Sequence, residues 1–180
     1  MSGAATTGIL AAVGLLCVGC SSSPGPSVSA GELRTYVAQV DRIRLPVNRL
    51  LTQADPILNA VNNRTISAQA ASDRMNALEM RFAEYTVDIN ALNPPNERLR
   101  KLNAPYAHTY LLEDNYLSAL AADLPDKNFD NLPETQNQQR LAIITWRTQV
   151  EILARSDHVR LPGDLQQAGR GEVAPSPGGS

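Results

Sequence analysis

The 180-residue sequence predicts an all-α fold, an antiparallel four-helix bundle running up-down-up-down. Three observations predict it. Apolar residues recur three and four positions apart through 31–161, the period of a helix that buries one face. Serines, asparagines and prolines interrupt that pattern at long intervals with short connections, the spacing of antiparallel neighbours. No alternation of apolar and polar residues long enough for a strand competes with it.

The first segment, 29–62, opens at Ser29 with Glu32 three residues on, the pairing of a capping box. It sets Leu33, Val37, Val40, Val47, Leu51, Ala54, Leu58 and Val61 on one stripe. Pro46 and Pro56 each remove a backbone hydrogen bond and crowd the carbonyl one turn back, so this helix is kinked or broken. The second segment, capped by Ser67, carries the cleanest seam: Ala68, Ala71, Met75, Leu78, Phe82, Tyr85, Ile89 and Leu92. Asn93-Pro94-Pro95 stops it and starts the third helix, because a first turn does not need proline's missing N–H. Leu99, Leu102, Tyr106, Tyr110, Leu117, Leu120 and Leu124 line that third helix, with Pro105 kinking it early. The fourth opens near Asn131 with Glu134 in capping-box position, buries Ile143, Trp146, Val150 and Leu153, and is closed by Pro162. Glu97 with Lys101 and Glu151 with Arg155, spaced four apart, belong to solvated outer faces.

Every aromatic side chain falls between Tyr36 and Trp146, so core-forming residues are confined to a single domain, 31–161. The flanks are rich in Ser, Pro and Gly. Residues 20–30 read as a flexible tether and 162–180 as a disordered tail whose loss leaves the core unaffected.

Ahead of the tether, the apolar stretch 8–16 is too short to span a bilayer and runs into Cys17-Val18-Gly19-Cys20, followed by Ser21-Ser22-Ser23-Pro24. Leu16-Cys17-Val18-Gly19-Cys20 resembles the lipobox of bacterial lipoproteins, where small residues precede a cysteine that becomes lipidated and N-terminal. Gly19 and Cys20 match it, whereas Cys17 stands where leucine is usual and residues 1–7 hold no Lys or Arg. The resemblance implies a signal peptide over 1–19, lipidation at Cys20 and a bacterial membrane anchor on the extracytoplasmic side. A plain signal peptide or an uncleaved N-terminal anchor is the alternative.

The chemistry available to the domain is narrow. Cys17 and Cys20 are the only cysteines, which leaves a lipidated, mature domain without thiol catalysis, disulfides or cysteine ligands. A net charge of −2 gives no strong pull toward nucleic acid or an anionic membrane surface. Di-iron bundles use Glu-x-x-His pairs, but Pro105 precedes His108 by three and Arg155 precedes His158 by three. Met75 or Met80 with His108 could in principle ligate haem, yet Met75 belongs to the seam as core filler. The alternating oxygens of Asp126, Asn128 and Asp130 resemble half of a calcium loop, but Asn131 and Asn137 stand where glycine and a bidentate glutamate are needed. Arg98, Arg100 and Lys101 cluster near the start of the third helix and read as a solvated face. No Gly-x-Ser-x-Gly turn or Ser-His-Asp ordering is present.

Two features remain for binding. Tyr106, Tyr110 and Glu113 share one helical face and could line a ligand pocket between helices. Arg44 stands in the apolar row of Val37, Leu51 and Leu58, where it must snorkel outward or meet a buried carboxylate, Asp88 and Glu113 being the candidates. The expected function is a membrane-tethered protein-interaction or envelope-structural module, neither an enzyme nor dependent on a cofactor. A small-ligand-binding bundle with its pocket near Tyr106 and Tyr110 is the alternative. Added calcium or zinc should leave the melting temperature unchanged, since a ligand of the native state would raise it by mass action. A saturable rise with calcium that vanishes in Asp126→Ala would make 126–131 a metal site.

Overall fold

The computed structural model describes residues 27–167 and 172–177. The proposed signal segment, Cys20, the tether as far as residue 26, and tail positions 168–171 and 178–180 lie outside the described residues. Among the described residues the chain is all-helical: α1 (Ala30–Leu51), α2 (Ala54–Asn62), α3 (Ala68–Ala91), α4 (Glu97–Asp123), α5 (Gln136–Ser156) and a 3₁₀ turn, Gly163–Gln167. They pack as a bundle in which α3 lies most extensively on α4, α4 on α5, and α1 and α2 against α3.

The capping box at Ser29 forms in both directions: Oγ accepts from the Glu32 N–H at 3.3 Å and Glu32 Oε2 accepts from the Ser29 N–H at 2.7 Å. The first segment is then cut in two. Pro46 is carried inside α1, whereas the break comes at Thr52 and Gln53, one turn ahead of Pro56, where the proline ring would collide with a helical carbonyl. Pro56 itself sits in the first turn of α2, where no N–H is required. Arg64, at φ 57°, ends α2 without a glycine: its N–H reaches the Val61 carbonyl and that of Thr65 reaches Ala60.

Ser67 caps α3 through the Ala70 N–H, and Ala71, Met75, Leu78, Phe82 and Ile89 are buried along its seam. Thr86 takes the buried place expected for Tyr85, which is half-buried on the flank. Its Oγ1 lies 3.5 Å from the Tyr110 carbonyl, so a small side chain lets α4 approach where a ring would hold it off. Pro94 and Pro95 lie in the connection rather than in the first turn of α4. Asn96 is the cap, because its Oδ1 can accept from the Arg98 N–H at 2.9 Å.

The fourth expected helix starts later and ends earlier than its sequence signals. Pro133 disfavours a helical Leu132, so no capping box forms at Asn131 and α5 begins after Thr135. It stops at Ser156, not at Pro162. His158, at φ 52°, turns the chain while the Val159 N–H bonds the Ala154 carbonyl at 2.7 Å and Val159 buries its side chain.

The largest correction concerns the tail. Described residues beyond Pro162 lie against the bundle: Leu165 and Ala174 are each 1 % exposed, and Glu172 is buried with them. They are part of the core, not a disordered extension of it.

At the centre of the bundle, four rings form a column. Phe82 stacks on Tyr110 with centroids 5.6 Å apart, Tyr110 meets Tyr106 edge-on at 5.7 Å, and Tyr106 stacks on Trp146 at 4.2 Å. Trp146 Nε1 donates to the Tyr36 hydroxyl at 2.7 Å, which donates in turn to Asn103 Oδ1 at 3.1 Å, joining α1, α4 and α5. Truncating the end of this column leaves a cavity with nothing to fill it. Phe82→Ala should cost about 3–5 kcal/mol in urea unfolding, whereas exposed Met80→Ala should change stability by less than about 0.5 kcal/mol. Equal losses from the two would contradict the column.

Candidate functional site

Arg44 projects from α1 into the interior and is 1 % exposed. A guanidinium there must be matched by anions, and three carboxylates surround it. Nε and Nη2 donate to Asp41 Oδ1 at 3.1 and 2.9 Å, Nη2 also donates to Asp164, and Nη1 donates to Glu172 Oε1 at 3.2 Å. Neither expected partner is used: Asp88 is exposed on α3, and Glu113 is engaged elsewhere. The reason is that the chain beyond Pro162, rather than α3, covers this face of α1. Burial works against the charge, but the Asp41 bond and the nearby Glu172 and Asp41 charges outweigh it and hold the guanidinium above its ordinary range. Burial raises the Asp41 carboxyl against the opposing pull of Arg44.

Glu113, on α4, is also 1 % exposed. Its Oε1 accepts from the Ala174 N–H at 2.7 Å and its Oε2 from Gln139 Nε2 at 2.9 Å, while Gln139 Nε2 also reaches the Thr109 carbonyl. One residue further along the C-terminal segment, the Tyr116 hydroxyl donates to the Pro175 carbonyl at 2.9 Å, and Gln136 Nε2 donates to Ser176 Oγ at 3.2 Å. The described residues 172–176 are therefore stitched across α1, α4 and α5 by Arg44, Glu113, Tyr116 and Gln136.

Tyr106 and Tyr110 lie beneath this strap, 0 % and 5 % exposed, with their hydroxyls 3.5 Å apart. Burial raises both phenols, and the charges of Glu172 and Arg44 reach both. All four residues expected to bind a ligand thus belong to one region of the bundle. The rings of the two tyrosines fill the column between Phe82 and Trp146, and neither lines the clefts found among the described residues on the surface. What the polar groups hold is the chain's own C-terminal segment.

Sequence reasoning missed Asp41, Asp164, Glu172 and Gln139. Asp41 was legible, one helical turn before Arg44. Asp164 and Glu172, in a stretch rich in glycine and proline, offered no periodic signal.

The remaining sequence candidates separate. Among Arg98, Arg100 and Lys101, Arg100 bonds the Pro94 and Pro95 carbonyls, Lys101 pairs with Glu97 at 2.7 Å, and Arg98 is exposed. The 126–131 stretch is a turn in which Lys127 takes φ 53° and the Asp130 N–H bonds Asn128 Oδ1. Met75 is buried in the core, while Met80, His108 and His158 are exposed. Among the described residues no three His, Cys, Asp or Glu side chains are grouped to hold a metal ion, and no helix is long and apolar enough to cross a membrane.

No family model matches the chain. Comparison with the curated proteins and with the solved structures likewise finds no match.

Glu113 gives the site a pH signature. Burial pushes its carboxyl from 4.5 up to about 7, against the opposing bonds from Ala174 and Gln139. Between about 4.5 and 7 the folded chain keeps a proton that the unfolded chain has released. The contribution to stability is therefore greatest below that window and is lost as pH rises through it, on the order of 3 kcal/mol. Urea unfolding at pH 5 and pH 8 should show this fall in the wild type and a smaller one in Glu113→Gln. An identical pH slope in both would remove Glu113 as its source.

Proposed function

We propose that this chain is a bacterial lipoprotein: a helical domain tethered through lipidated Cys20 on the extracytoplasmic side of the membrane, working by interaction rather than catalysis. The observation that carries the interaction reading is the contrast between inside and outside. Buried Arg44 and Glu113 are committed to the chain's own carboxylates, amides and C-terminal segment, while Met80, Val87, Leu111, Leu141, Ile144 and Ile152 stand exposed on α3, α4 and α5. Large apolar side chains left facing water are the usual raw material of contact surfaces. A small-ligand pocket beside Tyr106 and Tyr110 has the stacked column against it.

We also read the bundle as up-down-up-down, with α1 and α2 forming one broken arm. Its support is the pairing of positions. Ser72 bonds the Ala121 carbonyl and Thr86 approaches that of Tyr110, while Trp146 stacks on Tyr106 and Gln139 meets Thr109 and Glu113. On each pair, numbers fall along one helix as they rise along the other.

The anchor is tested by labelling expressing bacteria with a palmitate analogue and separating detergent-phase protein. Wild type should carry the label and enter the detergent phase, and Cys20→Ser should do neither. Retained detergent partition without label in Cys20→Ser would mean an uncleaved anchor, and loss on Cys17→Ser alone would move the modification to Cys17.

A further inference from the structure

The overall charge conceals a sorting of charge by helix. α1 carries four arginines against two acidic residues and α5 three against one, whereas α3 carries four acidic residues against two arginines. Apolar side chains are exposed on both α3 and α5, so charge distinguishes what each face can meet. On α3, Met80 and Val87 stand among Glu84 and Asp88.

The outer face of α5 is different. Leu141, Ile144 and Ile152 are 67, 42 and 47 % exposed and, with Thr148, follow helical spacing along one stripe. The only acidic residue on α5 is Glu151, and it is bridged by arginines on both sides, Arg147 at 3.7 Å and Arg155 at 3.4 Å. Past the end of α5, exposed Arg160 stands between two clefts of about 620 and 410 Å³. The first adds Arg147 and Arg155 around Glu151, and the second adds exposed Arg34 and Arg42 beside Asp41, itself paired with Arg44, over a floor that includes Val37 and Leu161. An aliphatic stripe flanked by guanidinium groups is the pattern of a helix lying in a membrane interface, with apolar side chains toward the acyl boundary and arginines at the headgroup phosphates.

We propose that the α5 face, with the arginines at its C-terminal end, docks the bundle flat on an anionic lipid surface. This names the partner of one exposed face in the interaction reading and does not depend on lipidation of Cys20. Charge complementarity selects that occupant: each arginine near an anionic leaflet adds attraction, while the acidic α3 face is repelled.

The test uses the full chain with Cys17→Ser and Cys20→Ser, so that Thr148→Cys supplies its one thiol for an environment-sensitive dye. A parallel sample carries the dye at Glu84→Cys on α3. With phosphatidylcholine vesicles containing phosphatidylglycerol, the position-148 dye should shift to the blue and saturate at a vesicle concentration about tenfold or more below that needed with phosphatidylcholine alone. The position-84 dye should not shift. Arg155→Glu with Arg160→Glu, both at exposed positions, should raise the half-saturating concentration about tenfold or more, with the helical circular dichroism signal unchanged. Equal responses to the two vesicle types, or a shift at position 84 instead, would overturn the proposal. So would a shift at position 148 produced by inorganic phosphate, which would mean a free-anion site, or by raising protein concentration without vesicles, which would mean a second copy of the chain.

Discussion

Burial of the Arg44 guanidinium is the constraint on which the closed form of this bundle depends. A cation removed from water costs several kcal/mol unless anions are brought to it, and α1 alone supplies only Asp41. The others come from Asp164 and Glu172, more than a hundred positions away. One buried charge therefore recruits the end of the chain to its beginning. The same segment satisfies Glu113 with the Ala174 N–H, so a buried carboxyl and a buried cation share one strap between them. Removing a partner from such a pair costs more than the pair contributes, because the charge left behind stays buried.

The strap also accounts for what surrounds the tyrosines. Their faces are used in the ring column from Phe82 to Trp146, and the polar groups near their hydroxyls are Arg44 and Glu172, already paired with each other. Residues that looked like a recognition set are holding the chain's own backbone and carboxylates. Interior polarity here is spent on closing the fold, and the faces free to meet anything else are outside it, where charge is sorted between α1 and α5 on one hand and α3 on the other.

Much of the helix pattern was legible because it depends on neighbours three or four residues apart. The Ser29 and Ser67 caps, the α3 seam and the exposed Glu97–Lys101 and Glu151–Arg155 pairs all follow from local spacing. Errors at helix ends have local causes too: Pro133 delays α5, and Pro56 breaks the first segment a turn before itself. Thr86 replacing Tyr85 in the seam is not local, since it reflects how closely α4 approaches.

Residue order alone carried the all-helical class, the place of most of the core and the identity of Arg44 as a charge in an apolar row. Periodicity and capping act within one turn and leave a direct imprint on residue order. Which anions answer Arg44, what Glu113 holds and the burial of Leu165, Glu172 and Ala174 emerged from long-range packing. Those outcomes turn on a C-terminal stretch whose described residues bury Leu165 and Ala174 and are held largely by hydrogen bonds and ion pairs across long separations. Such bonds depend on where distant atoms come to rest, and composition rich in glycine and proline carries no periodicity from which that position could be read.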